Sequence, residues 1–304
     1  MGWIVAAAAG LLIAPVVAVS FIAWRSFTPP RVEGEPPPGI APSRLEEIAF
    51  TSSGRALRGW ICTPAAAPRG MVLLVHGWGS GAAGMLSWSE FLAAEGWASM
   101  AFDMRGHGRS DGGESMVLPR LAEDIEQASV FLDARPDLAC LPRAILGHSM
   151  GGAALLLALS RGLSCRAAIV SSTFARVETA TDYVLRKWLL PPVLFRRVVK
   201  AVWSIRLGRS MGALEPERTI RGVRVPLLLT HGTEDPTIAL SELRRLEASA
   251  DPRLTSVLLI PGAAHSDRTA FPAYRTAVLG LLDGRLGGGE SGYTRGIVEK
   301  SSPS

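Results

Sequence analysis

The chain has 304 residues, 48 % of them hydrophobic and 19 % charged, with a formal net charge of +5, and once both termini are set aside this is ample for one core. The cations do not point to nucleic acid, because no recognition motif is present and they gather in one segment instead of joining stacking aromatics on a sheet. Three cysteines, Cys62, Cys140 and Cys165, have no C-x-x-C or metal-ligand spacing, so they give no disulfide framework, fit a reducing or indifferent compartment, and read as small core residues.

From the N-terminus, Gly2 to Trp24 carries no charge and would extend about 34 Å as a helix, against a hydrocarbon core of about 30 Å. Trp3 and Trp24 lie near its ends, where interfacial tryptophans belong, and Arg25 follows at once. Residues 1–25 are therefore expected to form a single-pass membrane anchor. The competing reading is a cleaved signal peptide with Ala18-Val19-Ser20 as its small-residue site, against which stand the missing basic flank and the length of the run. Residues 26–44 carry Pro29, Pro30, Pro36, Pro37, Pro38 and Pro42 and read as an extended, semi-rigid spacer. Arg25, Arg31 and Arg44 follow the apolar run and no Lys or Arg precedes it, which leans toward a cytoplasmic domain.

Residues 45–283 read as the folded domain. Strand-like segments fall at about 46 to 52, 56 to 62, 71 to 75, 97 to 102, 144 to 148, 166 to 171, 225 to 231 and 255 to 260, with helical patterns between most of them after the third. An early hairpin followed by alternating strand and helix predicts a mixed sheet, antiparallel at its start and parallel afterwards, with helices on both faces.

The run Met71–Val75 leads straight into His76-Gly77-Trp78-Gly79, where the backbone N–H of Trp78 is a candidate oxyanion donor and His76 reads as a structural imidazole under the loop. Ala144-Ile145-Leu146 leads into Gly147-His148-Ser149-Met150-Gly151, followed by a helix-like apolar segment. G-x-S-x-G between strand and helix is the pattern of a sharp turn that presents a serine for attack, with the N–H of Met150 at the helix start as the other oxyanion donor.

A serine hydroxyl needs a histidine base and an acid to orient it, in the chain order Ser, Asp/Glu, His. Of five histidines only His231 and His265 lie beyond Ser149, and His231 precedes the candidate acid. His265, after the strand-like run ending at Ile260, is thus the base, and Asp235 is the candidate acid. Glu234, Asp251 and Asp267 remain alternatives, and Asp235 also suits a helix cap or turn.

These motifs together resemble the α/β-hydrolase family, in its esterase, lysophospholipase and serine aminopeptidase-like branches. Gly147–Gly152 is similar to the elbow of monoacylglycerol lipase-like members, and Asp103-Met104-Arg105-Gly106-His107-Gly108-Arg109-Ser110-Asp111-Gly112 to a structural loop of the family in which Asp103 and Arg105 lock the backbone. The resemblance implies an α/β-hydrolase fold with a helical lid insertion, Ser149, Asp235 and His265 as a catalytic triad, and Trp78 and Met150 as the oxyanion hole. It implies no metal or organic cofactor. The substrate is left open among esters, amides and related acyl compounds, with an ester the first expectation, an amidase or peptidase the second, and a non-catalytic membrane-tethered binding module the third.

The strand rhythm stops at about residues 173–223, where the lid is expected. From Tyr183 to Gly212 there are seven cations, Arg186, Lys187, Arg196, Arg197, Lys200, Arg206 and Arg209, and no acid. Leu194, Phe195, Val198, Val202 and Ile205 recur at helical spacing opposite Arg196, Arg197 and Lys200. That pattern predicts a basic amphipathic helix, either an ordinary lid helix or one lying on an anionic membrane surface and admitting acyl chains of a lipid. Residues 284–304 read as a disordered tail.

Overall fold

A computed structural model describes residues 2–36, 44–112, 117–208, 211–266 and 270–286, with side chains described from Ala14 onward except at positions 184, 187 and 207. The chain enters its sheet through the antiparallel hairpin β1 (Leu45–Ser52) and β2 (Arg55–Cys62), turned by Ser53 and Gly54 at positive φ. The apolar runs then become β3 (Met71–Val75), β4 (Ala98–Phe102), β5 (Arg143–His148), β6 (Ala167–Ser171), β7 (Leu227–Gly232) and β8 (Thr255–Ile260). Their order across the sheet is β1-β2-β4-β3-β5-β6-β7-β8, antiparallel through β4 and parallel from there on. Strand bounds match the sequence reading to within two residues, because strands covered on both faces are continuous apolar runs cut off by turn residues.

Both faces are covered by helices. α2 (Leu86–Ala94) and α9 (Pro272–Leu286) press Trp88, Leu92, Leu281 and Leu282 onto one face. α3 (Leu118–Asp133), α4 (Met150–Ser160) and α8 (Leu240–Ser249) press Leu121, Ile125, Leu155 and Leu246 onto the other. α9 runs through Leu286, which is buried, so the expected tail begins later than residue 284; residues 287–304 lie outside the described residues. So do Pro37, Pro38 and Pro42 of the expected spacer, together with Arg209 and Asp267.

Between β6 and β7 the chain inserts α5 (Val177–Lys187), α6 (Pro192–Leu207) and the short α7 (Pro216–Thr219). The apolar face of α6 matches the expected one in part. Phe195, Val198 and Val202 pack partly buried against the cluster that holds the buried Val199 and Trp203, whereas Leu194 and Ile205 are 68 % and 77 % exposed. The packed face includes Val199 and Trp203 because α6 has partners on two sides: Leu185 of α5, and Val19, Ala23 and Phe27 from the N-terminal segment. Two of the expected cations are paired. Arg196 makes a bidentate pair with Asp182 (2.8 and 2.7 Å) and Lys200 bonds Glu178 (2.5 Å), both acids lying on α5 just before the acid-free stretch.

The N-terminal helix is α1 (Gly2–Arg25). Among the residues with described side chains no helix is long and apolar enough to cross a membrane; in α1 those side chains begin at Ala14. The spanning anchor expected from the sequence thus finds no support in the fold. What the fold does give is the placement of the last turns of α1, packed along α6.

Candidate active site

Ser149 stands at the crossing from β5 to α4 with φ 53° and ψ −120°, outside the ordinary regions for a residue with a Cβ. The flanking glycines are needed because backbone lies against backbone. A Cβ at Gly151 would sit 2.4 Å from the carbonyl oxygen of His76, and one at Gly147 would sit 2.7 Å from that of Gly151. The Ser149 N–H donates to Ser171 O (2.8 Å), and its carbonyl accepts from the Thr173 hydroxyl (2.7 Å) and the Ala153 N–H (3.1 Å), so the strained residue is held from both sides.

Met150 opens α4, where the first N–H groups have no intrahelical acceptor. The loop after β3 approaches closely enough that a Cβ on Gly77 would lie 3.1 Å from the Ser149 Cβ. Trp78 follows, and Trp78, Ser149, Met150 and His265 line one pocket.

His265 and Asp235 arrive from the carboxyl ends of the last two strands. The His265 ring faces Ser149 Oγ through Nε2 at 3.1 Å and Asp235 Oδ2 through Nδ1 at 2.8 Å. With Nδ1 donating to the carboxylate, Nε2 is left to accept the serine proton. Their two loops are laced together: Glu234 N–H donates to Ala263 O (3.0 Å), Thr233 N–H to Ile260 O (3.0 Å), and Gly262 N–H to the Thr233 hydroxyl (2.9 Å). Gly232 permits this, since a Cβ there would stand 2.1 Å from Ala263 O.

The two carboxylate oxygens of Asp235 have separate partners. Oδ1 accepts the N–H groups of Thr237 and Ile238, each at 2.9 Å, as a turn aspartate does, while Oδ2 serves His265. Burial pushes its carboxyl up, but bonds from His265, Ile238 N–H and Ser172, together with the His265 charge, outweigh it and hold the group well below the usual carboxylate range. Among the alternative acids, Glu234 is exposed and Asp251 pairs with Arg253 (2.8 Å); Asp267 lies outside the described residues.

One contributor escaped the sequence reading. Ser172, buried and at φ 46°, donates its hydroxyl to Asp235 Oδ2 at 2.8 Å. The signal for it was the polar triplet Ser171-Ser172-Thr173 at the carboxyl end of an apolar strand, where open parallel sheets gather their site residues.

His76 and the motif after β4 are structural, as expected. His76 accepts the Met104 N–H on Nε2 (3.0 Å) and donates from Nδ1 to Gly77 O (2.7 Å), tying two loops together. Asp103 accepts the N–H groups of Ala82 (2.7 Å) and Arg109 (3.1 Å), and buried Arg105 is paired with buried Asp124 (2.6 Å). His231 bonds Ile238 O at 2.9 Å and holds the turn behind Asp235. Among the described residues, no three His, Cys, Asp or Glu side chains cluster so as to hold a metal ion.

The pocket over Ser149 has a volume of about 260 Å³. Apart from the reactive groups its walls are mostly apolar, including Leu118, Phe174, Val177, Met211 and Ile238, which suits an acyl chain better than a charged amino terminus.

Comparison with known proteins agrees with the fold. Residues 66–211 match the family model described as serine aminopeptidase, S33. A monoacylglycerol lipase of Mycolicibacterium smegmatis is 41 % identical over 93 residues, 30 % of this chain and 33 % of that lipase, so the chain spans a third of that relative's length. The uncharacterized protein YfhR of Escherichia coli is 26 % identical over 239 residues, 75 % of this chain and 76 % of YfhR. Among solved structures, the Pyrococcus furiosus esterase Pf2001 superposes with a TM-score of 0.67 at 20 % identity, covering 85 % of this chain and 97 % of that one. Est1E of Butyrivibrio proteoclasticus, solved with ferulic acid bound, gives 0.61 at 19 % identity over 77 % of this chain and 99 % of that one.

Proposed function

We propose that the chain is a serine hydrolase of the α/β-hydrolase family that cleaves carboxylic esters through an acyl-Ser149 intermediate, with Ser149, His265 and Asp235 as its catalytic triad. The observation that carries this reading is the continuous line of contacts from Ser149 Oγ to His265 Nε2 (3.1 Å) and from His265 Nδ1 to Asp235 Oδ2 (2.8 Å).

In the first half of the reaction Ser149 Oγ attacks the ester carbonyl as His265 Nε2 takes its proton. The negative oxygen of the tetrahedral intermediate is met by the N–H groups of Met150 and Trp78, and each such donor contributes about 3 kcal/mol to the transition state. The intermediate collapses, His265 returns the proton to the departing alcohol, and the acyl group stays on Ser149. Water then attacks the acyl carbon, giving its proton to His265, and the carboxylic acid leaves as Ser149 regains its hydroxyl. Asp235 holds the ring orientation throughout, with Ser172 and two backbone N–H groups fixing the carboxylate in turn.

The apolar walls of the pocket favour an ester over the peptidase reading, since among the described residues no acidic side chain lines the pocket to receive a free amino terminus. The test is labelling by a fluorophosphonate probe, then turnover of p-nitrophenyl esters beside aminoacyl anilides. Labelled wild type, unlabelled Ser149→Ala and faster ester turnover are expected. An unlabelled wild type would favour the non-catalytic binding module.

We also propose that the protein is membrane-anchored by residues 1–25, with the insertion as its lid and the domain on the cytoplasmic side. The sequence supports this through the uncharged run and the arginines that follow it. Among the described residues, ten of the twelve large exposed apolar side chains belong to α1, α5, α6 or the turn joining the last two; Leu189 and Val193 are 94 % and 90 % exposed. Such a concentration suits contact with lipid. The burial of Val19 and Ala23 against α6 favours a retained helix over a cleaved one. Fractionation with protease protection of intact cells and inverted vesicles tests both points: recovery of a form shortened near Ser20 in the soluble fraction would overturn the anchor.

A further inference from the structure

The pocket over Ser149 is not built by the hydrolase domain and its insertion alone. Ser26 and Phe27, directly beyond the end of α1, line it too. These residues are 123 and 122 positions from the nucleophile and lie outside the segment matched by the family model, residues 66–211.

Their position is fixed by several independent contacts. Phe27 is buried, and its ring meets that of Trp203 at 5.5 Å between centroids, tilted by 50°. Trp203 Nε1 donates to both Ala23 O and Ser26 Oγ, each at 3.1 Å, clamping the last turn of α1 onto α6. The Arg206 guanidinium lies over the rings of Trp24 (4.2 Å) and Phe27 (5.0 Å) and donates to Trp24 O. Trp203 itself also lines the pocket. An aromatic pair drawn from α6 and from the segment leaving α1 therefore stands in the wall of the cavity that receives the acyl group.

We propose that Phe27, braced by Trp203, is a specificity-determining residue that sets the length of acyl chain the site accepts, and that the substrate is a lipid ester whose chain lies beside the end of α1. This rests on the reading of Ser149 as the nucleophile that takes up the acyl group. The Phe27–Trp203 wall is aromatic and offers an acyl chain contact area, whereas the hydroxyl-bearing residues Ser26, Thr179, Tyr183 and Thr237 line the pocket elsewhere. The helix that delivers Phe27 exposes Val17, Phe21 and Trp24 on its outer side, so the same short stretch meets lipid on one flank and the pocket on the other.

The test uses the full-length chain, wild type against Phe27→Ala and Phe27→Trp, with p-nitrophenyl acetate, octanoate and dodecanoate. Each methylene in an apolar pocket discriminates by about tenfold or more, so Phe27→Ala should raise the kcat/KM ratio of dodecanoate to acetate by about tenfold, and Phe27→Trp should lower it by a similar factor. Phe27→Trp also covers the case in which the alanine variant does not fold. A ratio that stays within about twofold of wild type in both variants, or a proportional fall on all three esters, makes Phe27 a packing residue only and sinks the proposal alone. If Ser149→Ala hydrolyses these esters as fast as wild type, the underlying reading fails and this one falls with it.

Discussion

The carboxyl edge of the sheet and the assembly of α1 with the insertion differ in how completely each is supported. Ser149, Asp235 and His265 hang from β5, β7 and β8, and the sheet between them is held by two buried clusters, one on each face. The second region has a small core of its own, centred on Val19, Phe27, Val199 and Trp203, and leaves Leu189, Val193 and Ile205 in the open. The candidate triad thus sits on a scaffold buried on both faces, whereas the assembly beside the pocket is only half covered. On the functional reading proposed above, the lesson is a division of labour: reactive atoms fixed by the sheet, and substrate choice left to elements with an exposed apolar surface.

Breaking the first region should produce the largest effects. Ser149→Ala is expected to lower kcat on a short p-nitrophenyl ester by about a million-fold, because removing one member of the triad removes the action of the unit. Asp235→Asn should cost about ten-thousand-fold by leaving His265 in the wrong tautomer; a loss of tenfold or less in steady-state assays would show that another group orients the imidazole.

Next in size is an acid limit on stability. Burial, above all, holds His76 down to about 4 and His107 to about 3, from an ordinary value of 6.5. As pH falls from 6.5 toward 4 the unfolded chain takes up protons that these folded imidazoles refuse, so stability falls by a few kcal/mol across that window and is level above it. Asp235 adds a loss of the same sign only below its ordinary value of 3.8, because its folded carboxyl is held lower still. Urea midpoints at pH 7 and pH 5 measure the effect, and His107→Gln should flatten the slope.

Ser172→Ala should lower kcat by about tenfold with little change in KM, the share expected of one hydrogen bond to a charged carboxylate. Equal losses in kcat and in thermal stability with KM raised would instead mark Ser172 as a packing residue. The smallest effect belongs to the second region. Neutralising Arg196 and Lys200, which are committed to Asp182 and Glu178, should cost at most about 1 kcal/mol of stability. It should also weaken vesicle binding less than Leu189→Ser with Val193→Ser does. The reverse ranking in a flotation assay would restore the cationic face as the membrane contact.

How much of this was legible beforehand follows the same division. The strands and the elbow could be read because buried parallel strands are unbroken apolar runs and because a serine forced to φ 53° leaves its glycines in the sequence. Asp235 could be named but not separated from Glu234, since adjacent residues differ only in which way the loop points them. The buried face of α6 was read only in part, catching Phe195, Val198 and Val202 but not Val199 and Trp203, because helical spacing alone does not say how many neighbours a helix has, and the acids answering Arg196 and Lys200 lie on a different helix. Phe27 was invisible in principle: its partner Trp203 is 176 positions away, and no local pattern encodes such a meeting.

The lacing of the Asp235 and His265 loops carries one more consequence. With Glu234 bonded to Ala263 and Gly262 to Thr233, carboxylate and imidazole ride on a single bracket, while the serine is mounted separately beyond β6. Adjustment as an ester settles in is therefore expected first at the seam by the serine hydroxyl, with the Ser172 bond to the carboxylate as a tie across it. A protein engineer could accordingly exchange the stretch from β7 to His265 between related scaffolds as one cartridge, and would need to retune the seat of the alcohol together with Ser172, whose hydroxyl reaches the carboxylate from outside it.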